Sequence, residues 1–420
     1  MRICFLSRRY FPAISGMSVY ARNMTKALAD RGHELVMISQ YREDAKGIGI
    51  YGGGPPPAEP WMQVHGLRSL GEERANEQVP ADYERDLREM VATAEALHQE
   101  KPFDVVHAQY CYPNGLAALE ISDRLGIPNV VSIQGGDGHW VGLCCQTHGD
   151  AMQAVLRKSM ALIIGCKSFS AEVQENHHIE ADRFTIIPGA TNTEQFTPAE
   201  RLQDKGAPLR FLYHGRVDQR KGIHDFIRAS CQLRRKGHEL QLVISGIGPD
   251  LESSREMVQE FGLEDITEFT GASSYDEAPR VYDRGDVFVS PTYAEGFSNT
   301  ILEAMASRLP IISTNSVGVV DCLKHEYNGL LVEPGDIGGL VRSMERMLVD
   351  RAARKRITDQ AYEDVLKLYS WAVVAQQIEE VYQQVQEQPL CSSWRAYYDF
   401  STTVEDADLS CRFRKDPHLL

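Results

Sequence analysis

The sequence predicts an α/β chain made of two doubly wound parallel sheets in tandem. Three observations predict it. Short β-rich runs alternate with helix-length amphipathic stretches. Those runs are continuous rather than alternating in polarity, as expected of parallel strands covered by helices on both faces. The pattern is broken once by a polar stretch and then restarts.

Arg2 to Ser7 is the first expected strand. Ser18 to Asp30 follows as a helix, stopped by Arg31-Gly32, and His33 to Ser39 is the next strand. Phe103–Gln109, Asn129–Gln134, Ala161–Cys166 and Phe184–Ile187 continue the strand series. Helical stretches at Tyr83–Gln99, Leu116–Leu125, Asp150–Ser159 and Ser170–Asn176 separate them. The polar stretch Thr197–Pro208, with Pro198, Gly206 and Pro208, is the expected linker. Beyond it Leu209–His214 is a strand, Ile223–Lys236 a helix, Leu240–Ser245 a strand and Asp250–Phe261 a helix. Val287–Pro291 and Pro310–Ser313 are further strands. Two segments stand outside this grammar. Tyr41–Pro80 contains Gly52-Gly53-Gly54-Pro55-Pro56-Pro57 and is expected to be a long, partly ordered loop. The tail from Glu387 to Leu420 is polar and lacks helical periodicity, so its order is left open. The expected domains are therefore 1–197, 198–370, a helix over 371–386, and the tail 387–420.

Composition excludes several classes. The 420 residues are 43% apolar and 25% charged, which is ordinary for a globular protein of two or three domains. The net charge of -15 argues against nucleic acid as a partner, because phosphate binding is driven by Lys and Arg. No run of 18 apolar residues suggests a transmembrane helix. Arg2 to Leu6 is too short for a secretory signal, and the nine cysteines show no framework spacing, so a reducing cytoplasm is expected. His139, Cys144, Cys145 and His148 match no standard zinc spacing. They are read as residues around a turn, and no metal is expected.

Two pieces carry chemistry. In His214-Gly215-Arg216-Val217-Asp218-Gln219-Arg220-Lys221-Gly222 a buried strand leads into a helix. Gly215 permits close approach to the backbone, and Arg216 and Lys221 are two cations suited to a diphosphate. A solvated loop with ordinary surface charge is the plainer reading of this piece taken alone. The second piece runs from Pro291 to Ala306. Gly296, Phe297, Ser298 and Asn299 form the entrance to a helix, where unpaired N–H groups make an anion site. Glu295 precedes that entrance. Glu303 lies two turns on, in an otherwise apolar stretch, and a carboxylate accepts hydrogen bonds from paired hydroxyls.

In this order, about 80 residues apart, the two pieces resemble the donor-site motifs of family 4 retaining glycosyltransferases with the GT-B fold. Glu295 and Glu303, with seven residues between them, match the family's E-x7-E element. Gly246-Ile247-Gly248-Pro249, Phe269-Thr270-Gly271 and Asn328-Gly329-Leu330-Leu331-Val332 are further matches. The resemblance spans roughly Met1 to Gln386. It implies two Rossmann-like domains facing across a cleft, the first for the acceptor and the second for the donor, with the helix after Ser370 returning to the first. It also implies transfer of a sugar from a nucleotide-diphosphate donor with retention, by a metal-independent front-face route. Arg216 and Lys221 would bind the diphosphate, Glu295 the sugar and Glu303 the ribose. Gly16, Gly215, Gly246 and Gly271 would line the donor, with the nucleotide sugar as co-substrate and no other cofactor.

The N-terminal half departs more from the family. Gly16-Met17 stands where two glycines are common. In Val131-Ser132-Ile133-Gln134-Gly135-Gly136-Asp137, Gln134 replaces the family's histidine. The resemblance places Gln134 and Asp137 among the catalytic residues, and His107, Gln134 and His139 on the acceptor side. Residues 1–200 carry 18 Lys and Arg against 25 Asp and Glu, so no basic face for an anionic membrane is expected. The acceptor alcohol is therefore expected to be soluble: a small metabolite, a natural product or an oligosaccharide. A homodimer stays open. The rival readings are a nucleotide-sugar epimerase on the same fold and a silent nucleotide-sugar-binding protein. A dinucleotide oxidoreductase is disfavoured, because no Gly-x-Gly-x-x-Gly follows the first strand.

Overall fold

The structure is a computed structural model, and it describes residues 1–13, 15–45, 48, 52–76, 78–198, 207–390, 393–399 and 410–417. The chain divides into two compact units. One comprises Met1–Pro188 with Trp371–Leu420, the other Gly189–Ser370. The boundaries expected from sequence, 197/198 and 370/371, differ from these only at the first. Residues 190–196 have their contacts in the second unit: Thr191 N donates to Tyr369 O at 3.0 Å, and Phe196 packs on Tyr275 and Tyr282. Most of the expected linker, 199–206, lies outside the described residues.

The first unit holds seven strands: β1 (Arg2–Ser7), β2 (Glu34–Tyr41), β3 (Met62–Arg68), β4 (Val105–Gln109), β5 (Asn129–Ile133), β6 (Ala161–Ile164) and β7 (Phe184–Ile186). They pair in parallel in the order β3-β2-β1-β4-β5-β6-β7. All six residues of β1 are buried, as are all five of β4 and of β5. That is why these strands are continuous apolar runs in the sequence. Each fully buried Ile, Leu or Phe there contributes roughly 1.5–3 kcal/mol.

The second unit holds β8 (Leu209–His214), β9 (Leu240–Ser245), β10 (Thr267–Gly271), β11 (Val287–Ser290), β12 (Ile311–Thr314) and β13 (Leu330–Val332). Its order is β10-β9-β8-β11-β12-β13, again all parallel. In each unit the strand order reverses beside the first strand. The reversal falls between β1 and β4 in one unit and between β8 and β11 in the other. Such switch points open a crevice at the carboxyl ends of the strands.

The helix Trp371–Gln386 belongs to the first unit, as expected. It buries Trp371, Val374, Ala375, Ile378, Val381, Tyr382 and Val385, a stripe at helical spacing. Trp371 meets Tyr20 of the helix Gly16–Asp30 edge to face at 5.2 Å.

One expectation changes. Tyr41–Pro80 is not simply a loop, since it contributes β3 and the short helix Leu70–Glu73. β3 is an edge strand with one buried residue, Met62, and Gly66 at its centre, so its sequence carries little apolar signal. A Cβ on Gly66 would fall 2.4 Å from Pro56 Cδ, because the proline run packs directly over this edge.

The tail, whose order the sequence leaves open, is described in part. Its described parts pack on the first unit through polar anchors rather than an apolar stripe. Arg414 makes a bidentate ion pair with Glu84 at 2.8 and 3.0 Å, with both side chains buried. Tyr398 donates to Glu84 at 2.6 Å, Tyr83 donates to Phe413 O at 2.7 Å, and Trp394 Nε1 donates to Asp123 at 2.8 Å.

Candidate active site

The two chemistry-bearing pieces occupy the switch point of the second unit. The His214–Gly222 loop leaves the carboxyl end of β8, and Pro291–Ser298 leaves that of its neighbour β11. A backbone contact stitches the two loops together, since Tyr293 N donates to Arg220 O at 2.9 Å, and Glu295 N ties the second loop to Val317 O, beyond β12, at 3.0 Å. Gly222, at φ +75°, passes so close to β11 that a Cβ would lie 2.0 Å from Pro291 O. On the other flank Gly246, at φ +133°, leaves only 1.8 Å between such a Cβ and Gly215 O. Glycine is required at both crossings.

Lys221 is brought to the entrance of the helix Asn299–Ala306. Its Nζ lies 2.7 Å from Glu295 Oε2 and donates to Ala294 O at 3.2 Å. Ser298 stands at the N-cap, yet its side chain caps nothing in the helix. Its hydroxyl pairs instead with Thr300 Oγ1 at 3.3 Å. The first-turn amides therefore keep their capacity for an anion, beside a lysine and at the positive end of the helix. Arg216 sits 3.5 Å from Asp218, which also holds Arg220 at 2.6 Å, so Asp218 orients both guanidinium groups.

Glu303 is buried just over one turn into the helix, where the Tyr282 hydroxyl donates to its carboxylate at 2.6 Å. Burial pushes this carboxyl up to about 7, and the Tyr282 hydrogen bond opposes the shift. Tyr282 and Asp218 were not singled out from the sequence. Tyr282 ends a five-residue helix outside any motif, and Asp218 looks like an ordinary loop acid. Gly271, expected among the donor glycines, adopts φ +73° and accepts from Gly246 N at 2.9 Å. It supports the Gly246 loop through its backbone.

In the first unit the corresponding switch point carries a polar network. Ser7 Oγ donates to Gln109 Oε1 at 3.0 Å, while Gln109 Nε2 donates to Met17 O at 2.9 Å and to Gln134 Oε1 at 2.8 Å. The Met17 carbonyl fixes which end of Gln109 is the amide nitrogen, and this in turn fixes Gln134. With its oxygen engaged, Gln134 has its NH2 left to offer a ligand. A Cβ on Gly16, at the start of the first helix, would meet nothing within 4 Å, so the approach there is open.

Three expected site residues are placed otherwise. Asp137 is fully buried and accepts from the amides of Cys111, Gln134 and Gly135 at 2.7, 3.2 and 2.8 Å. Burial pushes it up to about 6, against those three bonds. It ties the loop after β4 to the loop after β5 and positions Gln134. His107 is a core residue, not an acceptor-side group. Its nitrogens lie 2.6 Å from Tyr382 Oη and 2.7 Å from Ser132 Oγ, and burial lowers it to about 3. His139 is buried, packed on Phe169 and paired with Glu172 at 2.7 Å. A cavity at the ends of β1 and β2 is lined by Arg8, Arg9, Tyr10, Gln40, Arg42 and Glu72, which come from separate segments of the sequence. Arg8 there is already neutralised by a bidentate pair with Glu72.

Two parallel α/β units, each with functional loops at its switch point, define the GT-B class of glycosyltransferase. The comparisons with known proteins agree. The family described as Glycosyl transferases group 1 matches residues 197–364, and the Glycosyl transferase 4-like domain matches 15–190. The chain is 24% identical to an uncharacterized glycosyltransferase of Methanocaldococcus jannaschii, over 91% of this chain and 98% of that protein. It is 25% identical to a glycogen synthase of Mycobacterium tuberculosis, over 91% and 94%. Sucrose-phosphate synthase from Thermosynechococcus elongatus has the same fold, with a TM-score of 0.76 at 22% identity, covering 91% of this chain and 98% of that one. The chain belongs to the family 4 glycosyltransferases and is an enzyme that uses a nucleotide-sugar donor.

Proposed function

We propose that the enzyme moves a hexose from a nucleoside-diphosphate sugar to a hydroxyl of a soluble acceptor, with retention and without a catalytic metal. The observation that carries this is the convergence of Lys221, the uncapped helix entrance and buried Glu303 at one switch point. Lys221 and Arg216 neutralise the charge that grows on the leaving diphosphate, and the helix amides add their dipole. Such stabilisation is often the largest catalytic term. Glu303 accepts from the ribose hydroxyls, and Glu295 holds the transferred sugar. In the first unit Gln134 offers its NH2 to a sugar hydroxyl. Gln134 cannot take up a proton at neutral pH, which disfavours the epimerase reading and suits front-face attack through an oxocarbenium-like state.

A soluble acceptor fits the acidic charge of the first 200 residues, which offers little attraction to an anionic membrane. The glycogen synthase relative is named for a carbohydrate product, in keeping with that choice.

The test is donor turnover. Purified enzyme is screened with nucleoside diphosphates by thermal shift, and the sugar donors of the best binder are then incubated with and without acceptor alcohols. Release of nucleoside diphosphate, accelerated by an acceptor and yielding an α-linked product from an α-linked donor, is the expected result. Binding with no release over hours supports the silent protein, and an epimerised donor supports the rival enzyme.

A further inference from the structure

A cluster of soft ligands lies outside the site just described. Cys144 and Cys145 precede the helix Gln146–Lys158, with Cys145 at its N-cap, and His148 sits buried in its first turn. Cys411 arrives from the docked tail, 263 positions further along the chain than His148. The four ligand atoms, three sulfurs and one ring nitrogen, all lie within 4.8 Å of one another. His148 Nδ1 is 3.1 Å from Cys144 Sγ and 3.5 Å from Cys411 Sγ. A tetrahedral ion with Zn–S of about 2.3 Å and Zn–N of about 2.05 Å requires S···N separations of about 3.6 Å and S···S separations of about 3.8 Å. The cluster is thus close to the size that one ion needs.

The surroundings point the same way. Both polar contacts of the buried His148 ring run from Nδ1 to sulfur, so Nδ1 is the atom that faces the thiols. A buried imidazole held only by thiols is poorly satisfied by the protein alone. A disulfide would use two of the sulfurs and leave a thiol and the ring without purpose, whereas one thiophilic cation uses all four groups.

We propose that Cys144, Cys145, His148 and Cys411 form a closed tetrahedral Cys3His site for zinc, which fastens the C-terminal tail to the first unit. The three thiols lose their protons to solvent on binding, and the neutral imidazole binds through Nδ1. Three sulfurs select a soft or borderline ion over magnesium or calcium. Four protein ligands leave no open position for substrate, so the ion is structural and separate from the transfer chemistry. Spacing rules did not find the site because only Cys-Cys-x-x-His is local, while the fourth ligand comes from the tail. His139, grouped with these residues in the sequence, pairs with Glu172 instead.

The test uses the full chain, purified under reducing conditions and incubated with one equivalent of zinc before gel filtration. Metal analysis should find about one zinc per chain. Cobalt in its place should give intense tetrahedral d–d bands and a thiolate-to-cobalt charge-transfer band. Cys411→Ser and Cys145→Ser should each abolish stoichiometric binding, while Cys231→Ser, a buried cysteine of the other unit, should not. Absence of zinc together with absence of cobalt bands in the wild-type chain would overturn the proposal, even if the variants fail to fold. So would full zinc content in Cys411→Ser, or a peptide map showing Cys411 in a disulfide with Cys144 or Cys145.

Discussion

Lys221→Ala should lower turnover about 100- to 1000-fold at saturating donor, the size of effect seen when one preorganised donor to a developing negative charge is removed. The melting temperature should barely move. Lys221 is about one-third exposed, and its pairing with Glu295 is partly solvated, so the pair contributes about 0–1 kcal/mol to stability. The separation of the two readouts is the point. A lysine that merely clamps the β8 loop to the β11 loop would affect both together, whereas one that meets the leaving diphosphate affects kcat alone. Lys221→Arg keeps the charge but spreads it over a longer planar group, and should restore part of the rate. Unchanged kcat in the alanine variant would remove the diphosphate role.

Glu303→Ala should weaken donor binding about 100-fold, on the order of 3 kcal/mol, because two charge-assisted hydrogen bonds from ribose are lost. The pH dependence is a sharper signature. The carboxyl must be ionised to accept both hydroxyls, and burial has raised it from 4.5 to about 7. Donor affinity in the wild-type enzyme should therefore fall as pH drops below about 7, approaching tenfold per unit. Glu303→Gln should lose that slope. Stability without ligand has the opposite sign. The folded state holds this proton up to about pH 7 while the unfolded chain releases it near 4.5, so the Glu303 contribution declines as pH rises through that window. Calorimetric titration of nucleoside diphosphate between pH 5.5 and 8.5 measures the first effect. A flat profile in the wild-type enzyme would end the ribose assignment. Tyr282→Phe, which removes the hydroxyl that favours the anion, should move the affinity midpoint to higher pH.

What the sequence made legible follows from where its signals are local. Buried parallel strands such as β1, β4, β5, β8 and β9 are contiguous apolar runs, so their positions were readable. The β8 and β11 loops carry glycines and charges in fixed register with those strands, so the placement of Arg216, Lys221 and Glu295 at the strand ends was readable as well. β3 was not, because an edge strand with one buried residue has almost no pattern. The tail was not, because its anchors are a buried Arg414–Glu84 pair and single aromatic residues, whose partners lie hundreds of positions away. The same distance hid Cys411 behind His148, whereas Tyr282, 21 positions from Glu303, was hidden because it lies outside any motif. His107 and Asp137 show the converse: matching a family position locates a residue, while its partners in space decide what it touches.

In the proposed reading the β8 loop and the β11 loop of the second unit together bind the diphosphate. Hydrogen–deuterium exchange with and without the tightest-binding nucleoside diphosphate reads this directly. Strong protection of the amides in 215–222 and 294–301, reduced in Lys221→Ala at the same ligand concentration, is the predicted result. Protection confined to the loops of the first unit, with those two segments unchanged, would contradict it.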